Sequence, residues 1–301
     1  MNKYLQLIVV FTAHLLLQTA VAAQPLLIQT EEIVVVYDPS LESAAEDVVR
    51  IYPKLRQELE EFFGWSLDIK PQVVLVKNTQ SFQKLTHNNL FVAFAVPDKK
   101  LVVIDYSRMN IRPFTLSVTL KHELCHLLLH RHISHHNLPK WLDEGVCQWV
   151  SDGIGEIFIN KSWSGLDAAV MAGRIIPLKG LTDYFPRDNS SLVLAYEQSK
   201  SVINYVDRQY GYNALMTLLD SLKNGETLEF ALMNSLDLSL EQLEREWLDR
   251  LESTPRWLVF LASHIYSILF FMAAVLTILG FVRHARRKKK IYEEWDEEDD
   301  E

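Results

Sequence analysis

The sequence predicts an α+β fold: a small mixed sheet first, a mostly helical part after it, and one transmembrane helix near the C-terminal end. Three observations predict it. β-Branched runs cluster before Pro113, apolar residues recur at helical spacing after it, and an apolar run without a full charge extends from Trp257 to Val282. Strand and helix segments do not alternate along the whole chain, so a doubly wound parallel sheet is not expected.

The stretch MNKYLQLIVVFTAHLLLQTAVAAQP has Lys3 first, then apolar residues from Leu5 to Leu17, then the small residues Val21, Ala22 and Ala23. That order is the pattern of a cleavable secretory signal over residues 1–23. An extracytoplasmic domain is expected over 24–256, with an α/β part at 24–113 and a helical part at 114–256. EIVVVYD reads as a strand over 33–37. Ser40 is placed to cap a long helix over 41–63 that stops at Gly64. QVVLVKN, 72–78, is a second strand bounded by Pro71, and 79–86 is a short helix. FVAFAVPDKKLVVIDYS reads as a hairpin turning at Pro97 and Asp98. Helices are expected at 114–131, 139–151, 191–209, 211–222, 226–234 and 239–252, with Pro139 in the first turn of its helix.

The apolar run at 257–282 is about 39 Å long as a helix, enough to cross a ~30 Å hydrocarbon core with some tilt. RHARRKKK follows at once, and such a basic cluster marks the cytoplasmic side. The signal demands the same orientation. The compact signal and basic stop-transfer fit a bacterial inner membrane, with the domain in the periplasm and 283–301 as a cytoplasmic tail. The eight acids of that tail nearly offset its six Lys and Arg, so the net charge of −9 rests mainly on the outer domain. An acidic outer domain argues against nucleic acid as a partner. No G-x-G-x-x-G, Walker A or G-x-S-x-G pattern appears, which argues against nucleotide binding and serine hydrolysis.

HELCH places His122 and His126 at i and i+4, on one face of a helix, so both imidazoles can reach one tetrahedral ion. Glu123 beside them is placed to take a proton from a water. A third ligand is needed. His132 would complete H-E-x-x-H-x-x-x-x-x-H, but the chain must then turn sharply at Leu129. A γ-branched residue there favours continued helix. Glu144, in LPKWLDEGVCQWV, is the other candidate. Seventeen residues separate it from His126, enough for a helix end, a loop and a returning helix. Asp143 beside Glu144 could order the site, but a solvated helix-face charge is the expectation, and Gln148 is a weak outer-shell candidate. His130, His132, His135 and His136 read as an exposed histidine-rich connection. Cys125 and Cys147 read as two buried free thiols, with a disulfide across two helices as the alternative.

HELCH followed by WLDEG resembles the gluzincin zinc metallopeptidases, in particular the peptidase MA-like family. The likeness extends over about residues 30–235, through the early strand–helix–strand and LAYEQSKSVINYVDRQYG. It implies a zincin-type catalytic domain, Zn2+ as cofactor, Glu144 as third ligand beside His122 and His126, and Tyr196 as the residue that stabilises the oxyanion. The glycine-rich exopeptidase motif of the related aminopeptidases is not visible, so an endopeptidase is expected. The expected activity is hydrolysis of a peptide or protein substrate by a membrane-anchored enzyme, with Glu123 catalytic. Residues 239–252 directly precede the membrane segment, which favours membrane or envelope proteins as substrates. The alternative is a degenerate peptidase-like module that binds a peptide or membrane-protein partner without cutting it.

Overall fold

The structure is a computed structural model describing residues 24–86, 88–109, 111, 114–152, 165–253 and 256–298. The expected signal at 1–23 lies outside the described residues. The chain divides into two compact units, one ending at Asp249 and one starting at Arg250.

The first unit holds a five-stranded sheet of order β1-β2-β3-β5-β4, from β1 (Leu26–Gln29), β2 (Val34–Tyr37), β3 (Gln72–Val76), β4 (Ala93–Val96) and β5 (Leu101–Asp105). β2, β3 and β5 run parallel, and the two edge strands β1 and β4 are antiparallel to their neighbours. The sheet is therefore mixed, as expected. Its register aligns Val35 with Val73 and Val73 with Val102, all fully buried, which is why β-branched residues alternate there. The interior strand β5 is buried on both faces.

Helices α1 (Glu42–Phe63) and α2 (Thr79–Thr86) fill the strand connections. Ser40 is not the cap of α1. A 3-10 turn over Pro39–Leu41 precedes the helix, and Asp38 caps that turn by accepting from the Ser40 N–H at 3.0 Å. The proline favours the turn's first position and draws the cap one step upstream. Gly64 ends α1 in the left-handed region, with φ 66°. The turn at Pro97 joins β4 to β5 as expected, whereas β1 and the short helix α5 (Gly165–Met171) were not expected.

After the sheet the unit is helical: α3 (Leu116–His132), α4 (Lys140–Val150), α6 (Asn189–Tyr210), α7 (Tyr212–Lys223), α8 (Leu228–Leu236) and α9 (Leu240–Ser253). Helix α3 packs on α1, β4 and β5, and α4 packs between α3 and α6. From Thr119 to Leu129 every α3 residue except Lys121 is buried, so this stretch is enclosed all round and central. Thr115 caps its start, accepting from the Val118 N–H at 3.3 Å. Pro139 is the residue before α4, extended at ψ 140°, rather than in its first turn.

The second unit contains α10 (Arg256–Glu298), within which Ile265–His284 has a mean hydropathy of 2.4 and is long and apolar enough to cross a membrane. The helix continues through the basic cluster into the acidic tail, because Arg, Lys and Glu are strong helix formers.

Candidate metal centre

Three side chains from two helices converge in the core of the first unit. His122 and His126 stand one turn apart on α3, with their Nε2 atoms 3.1 Å apart. Glu144 of α4 directs Oε2 at both, 3.7 Å from His122 Nε2 and 3.5 Å from His126 Nε2. That oxygen has no hydrogen-bond partner although it is buried. Two donors held ~2.0–2.1 Å from a tetrahedral ion lie ~3.3–3.4 Å apart. The three observed separations bracket that value, and the donor set of two imidazoles and a carboxylate suits zinc. An orphaned buried carboxylate oxygen is costly unless a cation takes it, so the residues present fit a bound metal.

The hydrogen bonding of His126 fits too. His126 Nδ1–H donates to Asp143 Oδ1 at 2.7 Å, which leaves the Nε2 lone pair for the triangle. Asp143 is buried, and its second oxygen accepts from His130 Nε2 at 3.1 Å. This corrects two expectations. Asp143 is not a solvated charge, and His130 is a half-buried helix residue rather than exposed loop. The reason is the close packing of α4 on α3, which turns this face of α4 inward. His132 also lies on α3, where its Nε2–H donates to the Ser66 carbonyl at 2.8 Å, away from the triangle. His135 and His136 are exposed as expected.

Glu144 Oε1 is held by Lys140 Nζ at 2.7 Å and by the Tyr196 hydroxyl, which donates to it at 3.2 Å. Burial would raise the Glu144 carboxyl, but Lys140, His126 and His122 overcome this and hold it well below the usual carboxylate range. Burial opposes ionisation of Asp143 as well, and His126 with His130 and Lys140 keeps it low. Burial lowers His122, favouring the neutral imidazole a ligand must be. Glu123 is fully buried and lies at i−3 from His126, next to it on the helix surface. Gln148 donates to the Tyr196 backbone carbonyl at 3.2 Å rather than to a member of the triangle.

Gly145, directly after Glu144, explains the last letter of WLDEG. A Cβ there would lie 2.5 Å from the Ser199 carbonyl oxygen and 2.6 Å from Ile203 Cγ1. Only glycine lets α4 approach α6 this closely, and that approach brings Tyr196 to Glu144. The residues missed in the sequence are Lys140 and the true position of Asp143. Lys140 had a signal, because it is i−4 from Glu144 on a helix. Asp143 had only its place beside Glu144, because its partner lies on another helix.

The profile of the Peptidase MA superfamily matches residues 72–253. The chain belongs to that superfamily, and its α+β, mostly helical fold is that of a zincin-type domain. No curated protein matches the chain. Among solved structures, a mutant M1 zinc metallopeptidase from Deinococcus radiodurans is similar at 14% identity and TM-score 0.44, covering 75% of this chain and 51% of that one. The M1 zinc metallopeptidase from the same organism is similar at 15% identity and TM-score 0.42, covering 75% and 50%. A mutant bound to a Tyr-Ser-Ala substrate is similar at 15% identity and TM-score 0.39, covering 74% and 50%. The chain thus spans about half the length of these structures.

Proposed function

We propose that this chain is a membrane-anchored, zinc-dependent metallopeptidase, acting as an endopeptidase outside the cytosol, with a bacterial periplasm as its compartment. The observation that carries the reading is the buried triangle of His122, His126 and Glu144, in a chain of the Peptidase MA superfamily. These three residues would hold the zinc. Bound there, zinc supplies Lewis acidity and makes water a nucleophile near neutral pH.

The chain's own residues supply the rest. Asp143 accepts the His126 Nδ1 proton and fixes the ring's orientation. Lys140 holds Glu144 Oε1, so that Oε2 faces the histidines, and the Tyr196 hydroxyl shares that hold until substrate takes its hydrogen bond. Glu123 takes a proton from the attacking water and returns it to the leaving amine nitrogen. The Tyr196 phenol donates to negative charge developing on the scissile carbonyl oxygen. The sequence link between α9 and α10 is short and tethers the catalytic unit to its anchor, which favours membrane or envelope proteins as substrates.

The test compares wild type with Glu123→Gln in the purified full chain. The expected variant keeps its fold and its zinc but loses peptide hydrolysis by about 10²–10⁴-fold. Unchanged turnover would end this mechanism. Wild-type protein that takes up zinc yet cuts no peptide would leave a peptidase-like module that binds its partner without cleaving it.

A further inference from the structure

We propose that Cys125 and Cys147 are joined by a disulfide in the working protein, cross-linking the two helices that carry the candidate metal ligands. In the structure both are buried free thiols, as expected from the sequence, but their sulfurs lie only 2.7 Å apart. Cys125 sits between His122 and His126 on α3, and Cys147 follows Glu144 by about one turn of α4. Bond formation must bring the sulfurs from 2.7 Å to about 2.05 Å. It closes a loop between residues 22 apart, and that loop contains Glu144.

Two further observations give the cross-link a purpose. It holds the Glu144-bearing helix against the histidine-bearing one, which sets the triangle's dimensions. It also removes a competing ligand. Cys147 Sγ lies 3.5 Å from His126 Nδ1, and His126, Asp143 and Cys147 form a second group able to hold a metal. A thiolate there is a soft donor that attracts zinc strongly. As a disulfide, Cys147 no longer competes, and His126 keeps Nδ1 for Asp143 and Nε2 for the triangle. This part of the inference rests on the zinc reading above, but the cross-link itself does not.

The chemistry is thiol–disulfide exchange with an oxidised dithiol donor of an oxidising compartment. One cysteine thiolate attacks the donor disulfide and expels one donor thiolate. The second cysteine then attacks the mixed disulfide and expels the other. Two cysteine S–H bonds are replaced by one S–S bond, and the donor leaves with two thiols carrying both electrons and both protons. Because both sulfurs are fully buried in the folded unit, exchange takes place before α3 and α4 pack. The finished bond is then shielded from reductant.

The experiment isolates the full chain in membranes, quenches it in acid, unfolds it with chelator present, and labels thiols with a maleimide before and after reduction. The expected result is no label before reduction, two labels after it, and a monomeric band on a non-reducing gel. Two labels before reduction would overturn the proposal, including the case in which metal alone had protected the thiols. One label, or a dimer that collapses on reduction, would overturn it by showing another pairing. Zinc content measured on the same preparation keeps the readings apart. Absent zinc with an intact disulfide would refute the peptidase reading alone, and bound zinc with two free thiols would refute the disulfide alone.

Discussion

Tyr196 and Glu144 share a hydrogen bond of 3.2 Å inside the core, with the Phe185 ring edge-on to the tyrosine at 5.1 Å. A phenol so placed has two possible duties, orienting Glu144 or meeting charge on a substrate. Lys140 already holds the same Glu144 oxygen at 2.7 Å with a full charge, so the orienting duty is largely covered. Tyr196→Phe keeps the ring packing and removes only the hydroxyl. We expect kcat to fall about 10²–10³-fold with zinc content unchanged, as for loss of one oxyanion donor. Steady-state kinetics with metal analysis on the same sample decides it. Full activity would remove Tyr196 from the chemistry, and loss of zinc would make it a support for Glu144. At this scale the histidine pair was legible because helical spacing puts His122 and His126 on one face, while Glu144 was singled out over His132 by the resemblance of WLDEG to the peptidase MA-like family. The role of Asp143 was not legible, because whether a carboxylate faces water or a buried imidazole depends on which neighbouring helix covers it.

Among the elements, α4 decides the geometry of the centre through its contact with α6. Gly145→Ala tests that contact, and two effects oppose each other there. Alanine in place of glycine inside a helix is favourable by about 1 kcal/mol. A Cβ lying 2.5 Å from the Ser199 backbone oxygen cannot be relieved by turning a side chain, so the helices must separate. Overpacking of that kind costs about 1–3 kcal/mol, and at such a short approach to rigid backbone it outweighs the gain. We expect a lower thermal midpoint and weaker zinc retention, because the shift carries Glu144 away from α3. Thermal unfolding with and without chelator checks both, and a more stable variant would mean that α4 and α6 are less tightly apposed. Most elements were legible: β3, α2, the β4–β5 hairpin and helices α3, α4 and α6 to α9 stand within a few residues of their expected bounds, whereas α5 was not expected and α10 runs to Glu298, past the expected end at 282. β1 was not legible, because LLIQ has little strand character alone and becomes a strand by pairing with β2.

In the whole molecule the candidate metal centre and the apolar span fall in different units. The side chains of Ile265–His284 are exposed, including Phe270 at 78%, Phe271 at 69% and Phe281 at 73%. A continuous apolar surface of that length is unfavourable in water and matches the ~30 Å core of a bilayer. Orientation then follows from charge. Arg283, Arg286 and Arg287 stand at one end of the span with Lys288, Lys289 and Lys290 just beyond. Positive residues next to a span are retained in the cytoplasm, so the proposed topology puts the candidate metal centre on the other side, in a compartment where a disulfide donor is available. The expected outcome is a full-length chain that stays in membranes through alkaline extraction. A C-terminal fluorescent-protein fusion should glow, and a C-terminal alkaline phosphatase fusion, which matures only outside the cytosol, should be inactive. Replacing the six Arg and Lys residues with Gln removes the retention signal and should raise phosphatase activity. An active phosphatase on the unaltered chain would invert the topology, put the HELCH helix in a reducing compartment, and leave Cys125 and Cys147 as the free thiols that the labelling experiment would then detect.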